Sequence, residues 1–314
     1  MSFFHLHPEQ HYRPKIQRRH FVFLGMLAPT GLTSKIQGQE KTPKLKAQPK
    51  PPRVTRAARK RRVFDAHLHC PSDRGDVWQW HPVTRTFQEF SAYLERTGVQ
   101  RGIINSVRSQ VAKDAAGFIE GNREVIRHVE TSKGRFQAAC VVNPLFIDEA
   151  LREMEDCRKK YGMVWVGELC NYTVPYQYTI KEFELLVEQA VKLNMVLDVH
   201  TNLDEMEFII QKFPQATIVF PHMGQHQDIF RRIDQVAKHP NCYLDIAGSG
   251  HERMGMLEYA VDAIGADRVL FGSDFSINDP STVIGRVENS FLTENQKQAV
   301  FSRNLEALLH RIAG

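Results

Sequence analysis

Residues 64–70 read Phe64-Asp65-Ala66-His67-Leu68-His69-Cys70, an apolar run that carries two histidines separated by one residue. Alternate residues of a β-strand point to the same side of the sheet. His67 and His69 therefore present two imidazoles on one face, and two neutral imidazoles so placed can bind one divalent metal ion. We predict that this stretch opens the folded domain as its first strand and supplies part of a metal site.

Four further side chains of metal-ligand type follow, each at the end of a separate apolar run. They are Glu168, His200, His222 and Asp274. Core packing does not explain four polar residues at four strand ends. In a parallel α/β barrel the carboxyl ends of the strands form one mouth, where the active site lies. We therefore expect these side chains to converge with His67 and His69.

The spacing of apolar runs predicts an α/β fold, a (β/α)8 TIM barrel. Strands are predicted near 62–68, 101–107, 136–142, 163–168, 195–200, 216–221, 241–247 and 268–273. Helical patterns lie between them, for example at 87–96, 115–130, 180–193 and 254–264. Eight strand–helix alternations favour a barrel over 62–314. A doubly wound open sheet is the alternative, but it would not bring ligands from the first and eighth strands into one site.

The complete pattern resembles the metal-dependent amidohydrolase superfamily. That superfamily has HxH after strand 1, Glu after strand 4, His after strands 5 and 6, and Asp after strand 8. The sequences PHMG at 221–224 and GSDF at 272–275 are most similar to its second large family. That family includes decarboxylases that act on aminocarboxymuconate semialdehyde and related aromatic acids. The resemblance covers about residues 62–314.

The resemblance implies a divalent metal, with Zn²⁺ as the first expectation and one or two ions. The implied metal ligands are His67, His69, Glu168, His200 and Asp274. A bound Zn²⁺ lowers the pKa of its water to about 7. Asp274 is the expected base toward that water. His222 is either a general acid/base or a ligand of a second ion, and both roles suit an imidazole.

Three functions are compatible with these residues. The leading expectation is a metal-dependent hydrolase that uses a metal-activated water on a small amide, ester or lactone. The second is a mononuclear, non-oxidative decarboxylase of an aromatic or unsaturated carboxylic acid. The third is an inactive barrel that serves as a binding protein, against which the intact ligand set argues. The expected partner is a small molecule, and a homo-oligomer remains open.

Several side chains occupy the predicted rim of the barrel and are candidates for substrate binding: Trp78, Trp80, Arg108, Asn171 and His251. The two tryptophans lie in the long loop after strand 1, where they could cover the site or pack on a helix. Asp65 is interpreted as a partner of an imidazole or as an interior carboxylate. Thr293 with Gln296 predicts a capping box, and Asn304 predicts a helix N-cap.

Charge is unevenly distributed along the chain. Residues 1–62 contain fifteen Lys/Arg and two Glu and so carry +13; the whole chain carries +5, which leaves −8 for residues 63–314. The basic balance therefore belongs to the N-terminal segment. The barrel lacks a basic patch interleaved with aromatic residues, so nucleic-acid binding is not expected. The five cysteines form no CxxC pair and are expected as buried thiols.

The N-terminal segment is predicted to be a disordered basic tail in two parts. Residues 1–34 resemble a twin-arginine export signal, with Arg18-Arg19 followed by a short apolar stretch. That stretch is too short for a stable membrane span, which needs about 20 apolar residues. Residues 35–61 are a flexible linker rich in Lys and Pro. The expected location is the periplasm, or the cytoplasm if the signal does not operate.

We predict that replacing both Arg18 and Arg19 by lysine traps the protein in the cytoplasm, because twin-arginine export reads the arginine pair. Fractionation of cells that express both forms measures this. A chain that starts at Arg61 should keep full activity, since the tail forms no part of the predicted core. Unchanged export of the lysine variant would exclude the signal, and an inactive shortened chain would show that the tail is required.

Overall fold

The computed structural model describes residues 61–75, 84–225 and 228–314. Trp78, Trp80 and the N-terminal tail lie outside these residues. All eight predicted strands are present: β1 Phe64–Cys70, β2 Arg101–Ser106, β3 Phe136–Ala138, β4 Trp165–Cys170, β5 Val196–His200, β6 Ile218–Phe220, β7 Cys242–Asp245 and β8 Val269–Leu270.

Helices lie between the strands and after the last one. They are α1 Phe87–Thr97, α2 Val107–Gln110, α3 Ala115–Thr131, α4 Ile147–Tyr161, α5 Lys181–Lys192, α6 Leu203–Lys212, α7 Ile229–Lys238, α8 Met256–Ile264, α9 Pro280–Glu288, α10 Glu294–Gln298 and α11 Asn304–Ala313. A short 3₁₀ turn at Pro144–Phe146 precedes α4, and a π-helical turn at Ala299–Arg303 joins α10 to α11. Among the described residues no helix is long and apolar enough to cross a membrane.

All strand pairings are parallel and follow chain order. The strands β1-β2-β3 form one group and β4-β5-β6-β7-β8 form another. Two isolated parallel bridges join the groups, Cys140 to Val166 and Leu68 to Phe275. The second bridge connects the chain after β8 to β1. The (β/α)8 TIM barrel predicted from the sequence is therefore confirmed.

An apolar layer inside the barrel closes the end where the strands begin. It contains the early strand residues Phe64, Ile103, Trp165, Val196, Val219, Tyr243 and Leu270. Leu305, Leu308, Leu309 and Ile312 of α11 pack against this layer. Their i, i+3, i+4, i+7 spacing places them on one helical face. The final helix thus closes the end of the barrel where the strands begin, and the polar ligand residues lie at the opposite end.

Irregular pairing in β1 and β4 changes which residues face the barrel interior. In β1 the register shifts between Asp65 and Leu68, and in β4 it shifts between Val166 and Leu169. Phe64 belongs to the inner apolar layer, whereas Leu68 packs in the outer core. A β-bulge allows this change, because one extra residue alters the alternation. The shift turns the histidines of β1 and the Glu of β4 toward the mouth.

The structure decides between the two interpretations of Asp65 and corrects the prediction for Asn304. Asp65 is the interior carboxylate rather than the partner of an imidazole, because it is buried and its Oδ1 accepts the backbone N–H groups of His67 and Ser273, each at 3.0 Å. Asn304 is not an N-cap. It lies within the continuous helical run and its Nδ2 donates to the carbonyls of Ala266 and Val269 at 2.6 and 2.7 Å. The capping box of Thr293 and Gln296 is confirmed.

We predict that Gly167→Ala strongly destabilises the barrel. Gly167 has φ +125°, and an added Cβ would lie 2.1 Å from the carbonyl oxygen of Asp198 in β5. Strain and overpacking together should lower the free energy of unfolding by roughly 3 kcal/mol or more. Denaturant unfolding measures the change. Gly285→Ala in α9 is the control, since its Cβ would meet no atom within 4 Å. Equal stabilities of the two variants would contradict this account.

Candidate metal centre

Three predicted ligands meet directly at the mouth of the barrel. His67 Nε2 lies 3.1 Å from His69 Nε2, and His69 Nε2 lies 2.8 Å from Asp274 Oδ1. The third distance, from His67 Nε2 to Asp274 Oδ1, is 3.7 Å. All three residues are buried. The strands that open and close the barrel thus bring their polar ends to one point.

The opposite ring nitrogens of both histidines are held by oxygen atoms. His67 Nδ1 lies 2.9 Å from Asp245 Oδ2, and His69 Nδ1 lies 2.9 Å from Asn105 Oδ1. Because these oxygens accept hydrogen bonds, each Nδ1 carries a proton. A neutral ring with Nδ1 protonated presents a lone pair at Nε2. Two such lone pairs and a carboxylate oxygen then converge, which is favourable only around a cation.

The distances fit a divalent ion. Ligand atoms at about 2.0–2.2 Å from a common ion lie roughly 3.0–3.6 Å apart, and the separations in this cluster are close to that range. Burial lowers the pKa of His67, but the charges of Glu168 and Asp245 outweigh it and raise the pKa well above its ordinary value. The carboxylates therefore draw positive charge into the site. These residues fit the divalent metal that the sequence predicts.

Glu168 links two groups of histidines through its two oxygens. Oε2 lies 3.4 Å from His67 Nε2 and 3.6 Å from His69 Nε2. Oε1 lies 3.0 Å from His200 Nδ1 and 3.7 Å from His222 Nε2. Burial alone would raise the pKa of Glu168, but His67 and His200 lower it well below its ordinary value. The ionised carboxylate is thus placed between two potential ligand sets.

His200 and His222 form the second side of the centre. Their ring centroids are 4.8 Å apart, and His222 stacks on His67 at 5.5 Å. His222 Nδ1 donates to the carbonyl of Ala247 at 3.0 Å, so its Nε2 is available at the mouth. Burial lowers the pKa of His222, which favours the neutral imidazole. His200 lies beside Glu168 and Cys170 rather than in the first cluster.

The predicted substrate-binding residues of the rim that the structure describes lie in different surroundings. Arg108 lies in α2 and its guanidinium donates to Glu120 of α3. Asn171 Nδ2 donates to Glu205 Oε1 at 2.8 Å. His251 is buried, and its Nδ1 has no hydrogen-bond partner. A substrate contact for these residues stays a prediction.

Three buried polar residues near the ligands were not predicted from the sequence: Asn105, Asp198 and Asp245. Asp245 is the most informative, because it orients His67 and also accepts the backbone N–H of Ala247 at 2.8 Å. Asp198 accepts from Trp165 Nε1 at 3.2 Å, and its other oxygen is buried without a partner. A carboxylate inside a short apolar strand is the signal that could have identified both aspartates.

A protein-family model described as Amidohydrolase matches residues 64–311, almost the whole barrel. The chain therefore belongs to the amidohydrolase family, as the motifs around His222 and Asp274 suggested. A search of the curated proteins finds no match. The family and the clustered ligand residues together define the chain as a metal-dependent enzyme of the amidohydrolase superfamily.

Solved structures share the fold at low sequence identity. The 2,6-dihydroxybenzoate decarboxylase from Rhizobium is 15% identical with a TM-score of 0.63, covering 80% of this chain and 99% of that chain. The 5-carboxyvanillate decarboxylase from Novosphingobium aromaticivorans, complexed with manganese, is 13% identical with a TM-score of 0.65, covering 80% and 96%. A probable 2-pyrone-4,6-dicarboxylic acid hydrolase from Acinetobacter baumannii is 12% identical with a TM-score of 0.57, covering 79% and 99%.

We predict that Asp245→Asn weakens metal binding by about 10–100-fold, because His67 loses the carboxylate that fixes its tautomer and ring orientation. Titration of metal against a competing chelator measures the affinity, and a melting curve verifies the fold. Asp262→Asn, on the exposed side of α8, is the control. An affinity equal to that of the control would show that Asp245 does not support the ligand.

Proposed function

We propose that the chain is a metal-dependent hydrolase of a small amide, ester or lactone, with a two-ion centre bridged by Glu168. The position of Glu168 carries the proposal. Its Oε2 faces the histidines of β1, and its Oε1 faces His200 and His222. Each oxygen of this carboxylate thus faces its own pair of histidines. Two adjacent ions are the common solution for clamping an attacking and a leaving oxygen.

The ions, when bound, would supply Lewis acidity toward a carbonyl oxygen and would lower the pKa of water. His67, His69 and Asp274 would hold one ion, and His200 with His222 would hold the other. We expect Zn²⁺, and Mn²⁺ is the alternative because related folds are known with manganese. The remaining chemistry, which is binding and proton transfer, belongs to the protein side chains.

Asp274 is the proposed general base. Its Oδ1 contacts His69 Nε2, and its Oδ2 accepts from Asn278 Nδ2 at 2.8 Å, so the carboxylate is held at a fixed orientation. Burial would raise the pKa of Asp274, but the adjacent imidazoles of His69 and His67 lower it. The ionised group can accept a proton from the attacking water and return it to the leaving group.

A decarboxylase is the second candidate function. Solved structures with the same fold include decarboxylases of aromatic acids, and the PHMG and GSDF motifs resemble the same branch. In this alternative one ion suffices, His200 joins the first ligand set, and His222 acts as the acid/base. The neutral His222, whose pKa is lowered by burial, suits that role.

We predict that the wild-type protein reconstituted with Mn²⁺ shows the paramagnetic signal of two coupled ions, and that Glu168→Gln abolishes it. The variant should also lose one metal equivalent, because the bridging oxygen of the second ion is removed. Electron paramagnetic resonance and elemental analysis measure the two effects. Glu188→Gln, exposed on α5, is the control. An uncoupled wild-type signal with an unchanged count in the variant would refute the bridge and favour the one-ion decarboxylase.

Substrate class is tested separately. Purified protein supplied with Zn²⁺ or Mn²⁺ should hydrolyse members of a panel of lactones, esters and amides. Turnover of aromatic carboxylic acids with release of carbon dioxide, and no hydrolysis, would favour the second candidate instead. Protein that purifies without stoichiometric metal and acts on neither panel would be the inactive binding barrel.

A further inference from the structure

A second group of potential ligands lies outside the metal centre. It consists of Asp73, Glu124 and His128, which we call the Asp73 cluster. Asp73 follows β1, whereas Glu124 and His128 are four residues apart on α3, so the two helical side chains share one face. One ligand atom from each residue lies within 4.8 Å of the others. None of the three was assigned a role in the proposed hydrolase.

The chain after β1 is folded onto α3 by hydrogen bonds. The backbone N–H of Asp73 donates to Glu124 Oε1, and Ser72 Oγ donates to Glu124 Oε2 at 3.4 Å. These contacts fix the carboxylate of Glu124, which is buried. The side chain of Asp73 is 57% exposed, so one side of the cluster is open to solvent. The cluster is therefore ordered on one side and accessible on the other.

His128 supplies the observation that points to a ligand. The residue is 9% exposed, and its Nε2 is buried without a hydrogen-bond partner. Asp73 Oδ1 lies 3.5 Å from that atom, beyond good hydrogen-bond geometry. The ring stacks on Phe87 with a centroid distance of 4.4 Å, so it is held in place. A buried polar atom left unpaired is unfavourable, and a bound cation would remove that penalty.

We propose that Asp73, Glu124 and His128 bind a divalent cation of the zinc and manganese class, at a site separate from the barrel mouth. One imidazole and two carboxylates are a ligand set for such ions. Two ligands at about 2.0–2.2 Å from one ion lie roughly 3.4 Å apart, close to the distance between His128 Nε2 and Asp73 Oδ1. Solvent would complete the coordination on the side of Asp73.

A simple ion pair between His128 and Asp73 is the competing explanation. Burial lowers the pKa of His128, Asp73 raises it, and Arg127 lowers it; the net direction is downward. A charge-assisted hydrogen bond of an ion pair would also be shorter, about 2.7–2.9 Å, whereas His128 Nε2 and Asp73 Oδ1 are 3.5 Å apart. The geometry therefore favours a shared cation over an ion pair.

The site would fasten the chain after β1 to α3. Asp73 lies four residues after His69, in the stretch 71–75 that directly follows β1. A cation bound jointly by this stretch and by two residues of α3 would hold the chain that follows β1 against α3. Metal at the Asp73 cluster would therefore order the backbone immediately beyond one of the mouth ligands.

The test uses the full-length protein equilibrated with Zn²⁺, and elemental analysis counts the bound metal. Asp73→Asn and His128→Gln remove one ligand each, and the exposed position of Asp73 keeps its variant from disturbing the fold. Glu130→Gln, an exposed carboxylate on the same helix, is the control. Each cluster variant should bind one metal equivalent less than the wild type. The double variant Asp73→Asn with Glu168→Gln should bind two equivalents less, because the two sites lose their ions independently.

Hydrogen exchange of residues 72–75 provides a second readout. Zn²⁺ should slow hydrogen exchange of these amides in the wild type and not in Asp73→Asn. In a separate sample, Asp73→Asn reconstituted with Mn²⁺ should keep the coupled signal of the two ions at the barrel mouth. An unchanged metal count in Asp73→Asn would overturn the site. So would an equal loss in Glu130→Gln, which would indicate adventitious surface binding, or exchange that does not respond to Zn²⁺ in the wild type.

Discussion

The need to neutralise buried negative charge governs the mouth of this barrel. Glu168, Asp245 and Asp274 are buried around four imidazoles, and several carboxylates buried together are costly unless positive charge balances them. Each histidine of β1 is held at Nδ1, so its Nε2 is directed to the shared centre. A divalent ion held by these residues would balance the buried negative charge.

The apolar half of the barrel makes that concentration of charge possible. Residues of α11 fill the end where the strands begin, so the interior needs polar groups only at the other end. The bulge in β1 is then decisive, because strict alternation from the inward-facing Phe64 would turn His67 and His69 outward. Gly167 allows the corresponding bulge in β4, where a side chain would collide with β5. The ligand geometry therefore depends on two local irregularities.

The sequence predicted the barrel and the ligand positions because both leave regular patterns. Continuous apolar runs mark buried strands, and a polar residue at the end of each run marks the mouth. It did not predict that Asp245 and Asn105 hold the histidines, since such contacts join distant strands. It misassigned Asn304, because an N-cap and an interior Asn that binds two carbonyls look alike in one sequence. Contacts between side chains of distant strands leave no signal in the local sequence.

The charge states link metal binding to protons. Without a metal, the raised pKa of His67 means that this ring holds an extra proton beside Glu168 and Asp245. A metal ligand must present a lone pair, so binding of the ion releases that proton. Metal affinity must therefore rise with pH until His67 is neutral in the free protein. Protons and the metal ion therefore compete for His67. The competition arises because this ligand histidine lies between two buried carboxylates.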